Sequence, residues 1–267
     1  MPALACPLCR QPLAREAARY ACAAGHAFDV AREGYVNLLP VQRKKSREPG
    51  DNPAMVQARR QFLAAGHYAP LRDAVVAQAT ALAPTAVLDI GCGEGDYTAA
   101  LASVAPDVTG LDISKVAIQR AARAHPGITW IVGSSAQLPL VDAAVDLVCS
   151  LFSPLPAAEM RRVLRPGGHL LVATPAADHL AALRAALFDE VRPHRPEKFV
   201  EALGAEFTLE QASELRFTLA LDAASLACLL LMTPYAWRAR PERREAMAVK
   251  GGFVTGAAFM LFLLQRR

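Results

Sequence analysis

The chain has 267 residues, 53% of them hydrophobic, and a formal net charge of +4. That length and apolar content support one large domain, or a domain with an appended module, and exclude global disorder. The longest apolar run, residues 253–264, is too short to span a bilayer and reads as a buried strand, and residues 1–10 lack the charged-then-apolar layout of a secretory signal.

The first signal along the chain is metal chemistry. Cys6 and Cys9 form C-x2-C, Cys22 and His26 form C-x3-H, and twelve residues separate the pairs. Thiolates and an imidazole at these intervals make a closed tetrahedral zinc site, each pair held by one tight turn. Pro7, Pro12 and Gly25 are residues such turns use. A unit of 38 residues cannot stabilise itself by burial, even with Phe28, Tyr35 and Val36 as a minimal core. Zinc then supplies most of its folding free energy, on the order of 10 kcal/mol. With three of the six cysteines assigned to zinc, no disulfide framework remains, and a reducing cytoplasm is the expected setting.

Residues 39–83 read as a basic linker followed by leading helices. Residues 1–60 hold ten Lys and Arg against five Asp and Glu, densest at Arg43, Lys44, Lys45 and Arg47, whereas the rest of the chain is close to neutral. Such a patch suits a polyanion gripped through its phosphates, and equally a solvated linker. Pro40, Pro49, Gly50 and Pro53 mark residues 40–53 as a mobile linker or loop. Helices follow over 54–65 and 70–82, broken at Gly66.

From residue 84 to 267, strand and helix patterns alternate. Strands are expected at 87–90, 108–111, 128–132, 144–151 and 169–173, and helices at 97–104, 115–124, 157–164 and 177–188. This βα repetition implies a parallel sheet covered on both faces, a Rossmann-like α/β fold. Segments 206–221 and 253–264 add strands at one edge.

The loop after the first of these strands carries the second strong signal. Val87-Leu88-Asp89-Ile90-Gly91-Cys92-Gly93-Glu94-Gly95 has G-x-G-x-G spacing with acidic residues on both sides. Glycines let the backbone turn sharply and approach a nucleoside. Asp89 and Glu94 would repel a pyrophosphate, so a dinucleotide fits poorly. A cationic sulfonium without phosphates, S-adenosyl-L-methionine, fits well. Asp112, at the end of the next strand, is placed to accept from both ribose hydroxyls.

These residues resemble a known family. D-I-G-C-G-E-G, the acidic end of the second strand and L-R-P-G-G-H look like the class I methyltransferase signature across residues 86–174. The front half is more specific. C-P-L-C, C-A-A-G-H-A-F-D-V-A-R-E-G-Y-V-N-L-L-P-V-Q, K-K-S, P-G-D and A-R-R-Q-F-L-A-A-G-H-Y-A-P-L, with M-T-P-Y-A-W-R-A at 232–239, are similar to the RlmA group of large-subunit ribosomal RNA guanine-N1 methyltransferases. The resemblance implies a zinc ribbon gripping a hairpin of 23S rRNA, a methyltransferase domain and a homodimer. It implies zinc on Cys6, Cys9, Cys22 and His26. It also implies cofactor contacts from Gly91, Gly93, Glu94, Tyr97, Thr98 and Asp112, with Tyr68 and His179 either touching cofactor or packing. Ser134-Ser135 stands where the general pattern has an Asp near the adenine, which leaves that contact unassigned.

The acceptor atom is constrained by what is missing. Ser150-Leu151-Phe152-Ser153-Pro154-Leu155 lacks the paired prolines and final aromatic of enzymes acting on exocyclic amines. Pyrimidine C5 methylation needs a thiolate, and Cys149 lies near the right place, but its apolar run reads as a packed strand. Cys92 and Cys228 also read as structural. A ring nitrogen such as guanine N1, the acceptor that the resemblance implies, bears a weakly acidic proton that a carboxylate or a backbone carbonyl could accept, and Asp146 is one candidate. Phe152 and Trp237 can stack on a base or pack in the core. A different RNA position or a small metabolite is the alternative substrate.

Overall fold

The computed structural model describes residues 3–43 and 49–267, apart from the side chains of Arg43, Ala236 and Trp237. The basic run Arg43, Lys44, Lys45 and Arg47, as a set of side chains, and the Trp237 ring lie outside the described residues.

The metal-binding head forms a three-stranded antiparallel sheet from β1 (Ala14–Glu16), β2 (Arg19–Ala21) and β3 (Ala27–Asp29). The next strand, β4 (Tyr35–Asn37), leaves this sheet and becomes an edge of the main one. Helix α1 (Pro53–Ala64) starts at Asn52, whose side chain accepts from the Met55 N–H, and α2 (Ala69–Leu82) follows the break at Gly66. Then come β5 (Ala86–Ile90), α3 (Asp96–Leu101), β6 (Asp107–Asp112), α4 (Lys115–Ala124) and β7 (Thr129–Val132). They are followed by β8 (Val145–Leu151), α5 (Ala157–Val163), β9 (Leu164–Pro175), α6 (Ala181–Leu187) and α7 (Glu197–Leu203). The chain closes with β10 (Phe207–Asp222), α8 (Ala223–Met232), α9 (Pro234–Arg238), α10 (Pro241–Ala248) and β11 (Gly252–Arg266).

The main sheet has the order β10-β11-β9-β8-β5-β6-β7-β4. Six strands from β4 to β9 run parallel, while β11 and β10 form an antiparallel hairpin ladder at the far edge. Strand order reverses between β5 and β8, so a crevice opens outside the carboxyl ends of these two strands.

The period-two alternation of buried strands sorts side chains onto two faces. Val87, Leu147, Cys149, Leu171 and Ala173 pack with Phe62, Leu71, Leu183 and Leu229 of α1, α2, α6 and α8. Their neighbours Leu88, Ile90, Val148, Leu170 and Val172 join Met160 and Val163 of α5, and also Leu4, Leu13, Tyr20, Val36 and Leu38. The zinc head therefore shares a core with the main sheet. Tyr35 and Val36, expected to serve the head alone, pair with Trp130 and Ile131 of β7. Backbone bonds reinforce the junction, with Ala5 N–H donating to Pro139 O (2.9 Å) and Leu38 N–H to Val132 O (2.9 Å).

Residues 49–53, within the predicted linker, are fastened to the body. Ser114 Oγ donates to Asp51 O (3.1 Å), and Asp51 pairs with Arg59 at 2.5 Å. The helix expected over 177–188 is shorter because Leu180 takes a left-handed φ of 53° and the chain turns at 177–180.

Trp130 fills the space beneath the glycine loop. It is 1% exposed, and a Cβ on Gly110 would lie 2.4 Å from its ring. Gly110→Ala is expected to destabilise the protein by about 1–3 kcal/mol in urea denaturation. Gly251→Ala, with open space around that position, is expected to stay within about 0.5 kcal/mol of wild type.

Candidate active site and metal centre

The four predicted metal ligands converge. Their donor atoms all lie within 4.8 Å of one another. Cys6 Sγ and Cys22 Sγ stand 3.6 and 3.5 Å from His26 Nδ1, and Cys9 Sγ is 3.7 Å from Cys22 Sγ. Zn–S bonds of about 2.3 Å and a Zn–N bond of about 2.0–2.1 Å at tetrahedral angles require S···S edges of about 3.8 Å and S···N edges of about 3.6 Å. These three donor–donor edges match those of a zinc tetrahedron. Zinc analysis of the purified protein is expected to give one ion per chain. Cys9→Ser should lose it, with a lower melting temperature, because ligand binding is linked to folding of the head.

A cavity of about 350 Å3 opens at the carboxyl ends of β5, β6 and β8. Its floor is the glycine loop, where Gly91, Gly93 and Gly95 have φ of 73°, 56° and 88°. All three occupy the left-handed region that disfavours a side chain, which accounts for the G-x-G-x-G spacing. Gly91 is also sterically required, since a Cβ there would lie 2.4 Å from Ser153 Cβ in the loop after β8.

Asp112 ends β6 and is fixed by two backbone amides. Gly93 N–H donates to Oδ2 (2.9 Å) and Ser114 N–H to Oδ1 (2.7 Å). Each oxygen keeps a lone pair for a hydroxyl ligand. Asp89 is buried beneath the loop and accepts from Thr98 Oγ1 at 2.6 Å. Its other oxygen, both Glu94 oxygens and the Tyr97 hydroxyl are buried with no hydrogen-bond partner among the described residues. Burial raises the Asp89 carboxyl to about 7, opposed by the Thr98 bond and aided by the Asp112 charge. Burial likewise raises Glu94 to about 7, against the pull of Arg59. Asp112 is raised by burial and held back by its two amides. Orphaned acceptors in an acidic enclosure fit a cationic, hydroxyl-bearing ligand and reject a pyrophosphate.

Of the sequence-predicted cofactor residues, Gly91, Gly93, Glu94, Tyr97 and Asp112 line this cavity together. Thr98 is fully buried and reaches it through Asp89. Tyr68 and His179 line a neighbouring chamber of about 530 Å3, which shares Arg59, Phe152, Ser153 and Pro154 with the first. Asp51, Arg59, Ser134 and Ser135 also line the cofactor cavity. Asp51 and Arg59 lie in the P-G-D and A-R-R-Q-F-L motifs, but their place in this cavity escaped sequence reading because they precede the Rossmann-like repeat.

Asp146 is not placed for proton transfer. It sits at the amino end of β8, away from the cleft, accepting from Thr85 N–H (2.9 Å), Ala86 N–H (2.9 Å) and Arg165 (2.6 Å). Burial opposes its ionisation, yet these donors together hold its carboxyl below the usual range. Cys149 is fully buried and its thiol is pushed well up by burial, as a packed strand residue should be. Cys92 behaves the same way. Phe152, by contrast, is 47% exposed and takes a left-handed φ of 59° between the two cavities.

The raised carboxyls give the cleft a pH dependence. Both ionise as pH rises through about 7, so the cleft becomes more negative over that interval. Affinity for S-adenosyl-L-methionine should rise between pH 6 and 8 in calorimetry, and its margin over the uncharged thioether product should widen. Each folded-state value lies above that of an unfolded carboxylate, so these groups lower ligand-free stability as pH rises from about 4 to 7. Ligand-induced thermal stabilisation should therefore grow over the same range.

Comparison with known proteins agrees with this geometry. Residues 4–47 match a zinc-ribbon family described as RlmA, N-terminal, and residues 87–168 match a methyltransferase domain. The 23S rRNA (guanine(748)-N(1))-methyltransferase of Streptomyces fradiae is 42% identical, over 90% of this chain and 87% of that protein. A candidate 23S rRNA (guanine-N(1)-)-methyltransferase of Micromonospora griseorubida is 39% identical, over 92% of this chain and 90% of its own length. Two solved structures share the fold. A candidate methyltransferase of Bacillus halodurans has a TM-score of 0.53 at 19% identity, covering 72% of this chain and 97% of its own. YcgJ of Bacillus subtilis has a TM-score of 0.52 at 18% identity, covering 73% and 97%. A zinc ribbon built onto an S-adenosylmethionine-binding α/β sheet, with identity extending over nine-tenths of its length, places this chain in the family of 23S rRNA (guanine-N1)-methyltransferases.

Proposed function

We propose that this protein transfers a methyl group from S-adenosyl-L-methionine to N1 of a guanine in a hairpin of 23S rRNA, acting in the cytoplasm as a homodimer. The observation that carries the reading is 42% identity, over 90% of this chain, to an enzyme named for that reaction. An acidic glycine-rich cavity opening onto an aromatic-walled chamber supports it. No helix among the described residues is long and apolar enough to cross a membrane.

The cofactor supplies an electrophilic methyl on a sulfonium. Gly91 and Gly93 let the backbone come close to it, Asp112 accepts from its ribose, and Asp89, Glu94 and Tyr97 offer polar atoms toward its charged end. Thr98 acts by holding Asp89. Tyr68 and His179 wall the acceptor chamber, where Phe152 and Tyr235 give an extruded base faces to lie against. Cys6, Cys9, Cys22 and His26 hold zinc, and the head so fixed presents the basic stretch after it to phosphates.

Nucleoside mass spectrometry of rRNA from cells with and without this gene should show loss of one N1-methylguanosine; an unchanged profile would refute the reading. Neutralising Arg43, Lys44, Lys45 and Arg47 should weaken RNA binding and reduce its log–log salt slope by about 3.

A further inference from the structure

Guanine N1 carries a proton that must leave as the N1–C bond forms, and the chamber that would take the base contains no carboxylate among its described lining residues. Two of its side chains offer an sp2 nitrogen lone pair, His179 and His194. His179 is packed 4.6 Å from the Phe259 ring, and its Nδ1 lies 3.0 Å from the Ala258 carbonyl. Burial brings it down to about 4, so it is a poor proton acceptor at neutral pH. His194 differs. It lies in the segment between α6 and α7, half-buried, with Nε2 2.7 Å from the Tyr235 hydroxyl and its own backbone N–H bonded to Ala177 O (3.1 Å). Arg184 lies behind the pair, 4% exposed, with both terminal nitrogens 3.4 Å from Ala177 O and Nε without a partner.

We infer that His194, oriented by Tyr235, accepts the N1 proton of the target guanine. The inference rests on the reaction proposed above. With Nε2–H assigned as donor to the Tyr235 oxygen, Nδ1 carries the accepting lone pair. The N1–H electron pair stays on nitrogen and forms the bond to the methyl carbon. The sulfur–methyl bond breaks, its pair remaining on sulfur as a neutral thioether. The proton passes to His194 and from the imidazolium to solvent. Arg184, His179 and Tyr235 are the titratable groups that interact with His194, and Arg59 and Arg238 line the same chamber. Burial first and Arg184 second hold His194 below its ordinary value, so it stands neutral at pH 7 and sheds the proton readily. Tyr235 is a positioning residue, and the M-T-P-Y-A-W-R-A stretch that carries it gains a physical role.

The test uses full-length zinc-loaded enzyme and 23S rRNA from cells lacking the gene, in single-turnover methylation from pH 6 to 9. His194→Ala is expected to lower the rate at pH 7 by about 10²–10⁴-fold, with cofactor and RNA binding unchanged. The deficit should shrink toward pH 9, where N1 loses its proton to solvent. Tyr235→Phe should move the acid limb of the profile and leave affinity for the cofactor intact. Should the alanine variant lose cofactor binding, His194→Gln keeps the side-chain volume and bears the same expectation. A rate within about threefold of wild type at pH 7, or a deficit of equal size at every pH, would overturn the assignment alone. A wild-type enzyme that leaves guanine N1 unmodified would overturn the proposed function with it.

Discussion

Five carboxylates, those of Asp51, Asp89, Glu94, Asp96 and Asp112, line one cavity in which Arg59 is the guanidinium among the described lining residues. Such a set resists full ionisation when buried, and the upward shifts of Asp89, Glu94, Asp96 and Asp112 express that resistance. Two of these acids are held by neutral donors, Asp112 by two backbone amides and Asp89 by the Thr98 hydroxyl, whereas Asp51 pairs with the Arg59 guanidinium. Charge is stored in a shape that a ligand cation completes, and the glycine loop lets a nucleoside approach it closely.

The zinc head bears on this cleft through the sheet. Its strand β4 closes the edge at β7, whose Trp130 lies under Gly95 and Gly110 at the base of the glycine loop. Its apolar residues join the cluster that contains Leu88 and Ile90 of β5, the strand that ends in the loop. The zinc head therefore orders one layer of the enzyme core, so a head loosened by metal loss would uncover the face beneath the glycine loop. Salt links Arg10–Glu159 and Arg123–Glu33 lie at the rim of this junction and contribute little beside the buried contacts.

Much of this was legible in the chain itself. The five parallel strands from β5 to β9 and β11 follow from short apolar runs, as a covered sheet requires, whereas β10 carries Glu210, Gln211, Ser213, Glu214 and Arg216 and is largely exposed at the sheet edge. The zinc ligands and the cavity-lining Gly91, Gly93, Glu94, Tyr97 and Asp112 follow from spacing and from strand ends. What escaped reading depends on tertiary packing. The union of β4 with β7 joins segments almost 100 residues apart, and no local pattern announces it. The roles of Arg59 and Asp51 arise only because residues 49–53 fold back onto α4. The resemblance gives Tyr68 and His179 as either touching cofactor or packing; in space they stand one cavity further along, Tyr68 edge-on to Phe259 and to His179, and His179 tilted against Phe259.

The contrast between the two cavities gives the reaction a direction. One is lined by carboxylates, and the other by aromatic rings, imidazoles and guanidinium groups, with Phe152, Ser153 and Pro154 in the wall between them. Phe152 keeps its ring there at the cost of a left-handed backbone, strain of the kind that persists where the surroundings fix a functional position. A bound sulfonium would place its positive charge among these acids, where it is favoured. Its thioether product, being neutral, would leave the acids without a partner and be held more weakly. The released proton appears instead beside Arg184, where a cation is disfavoured and solvent takes it. Both changes lower the affinity for products relative to reactants. One arrangement of fixed charge thus holds the methyl donor before transfer and favours release after it.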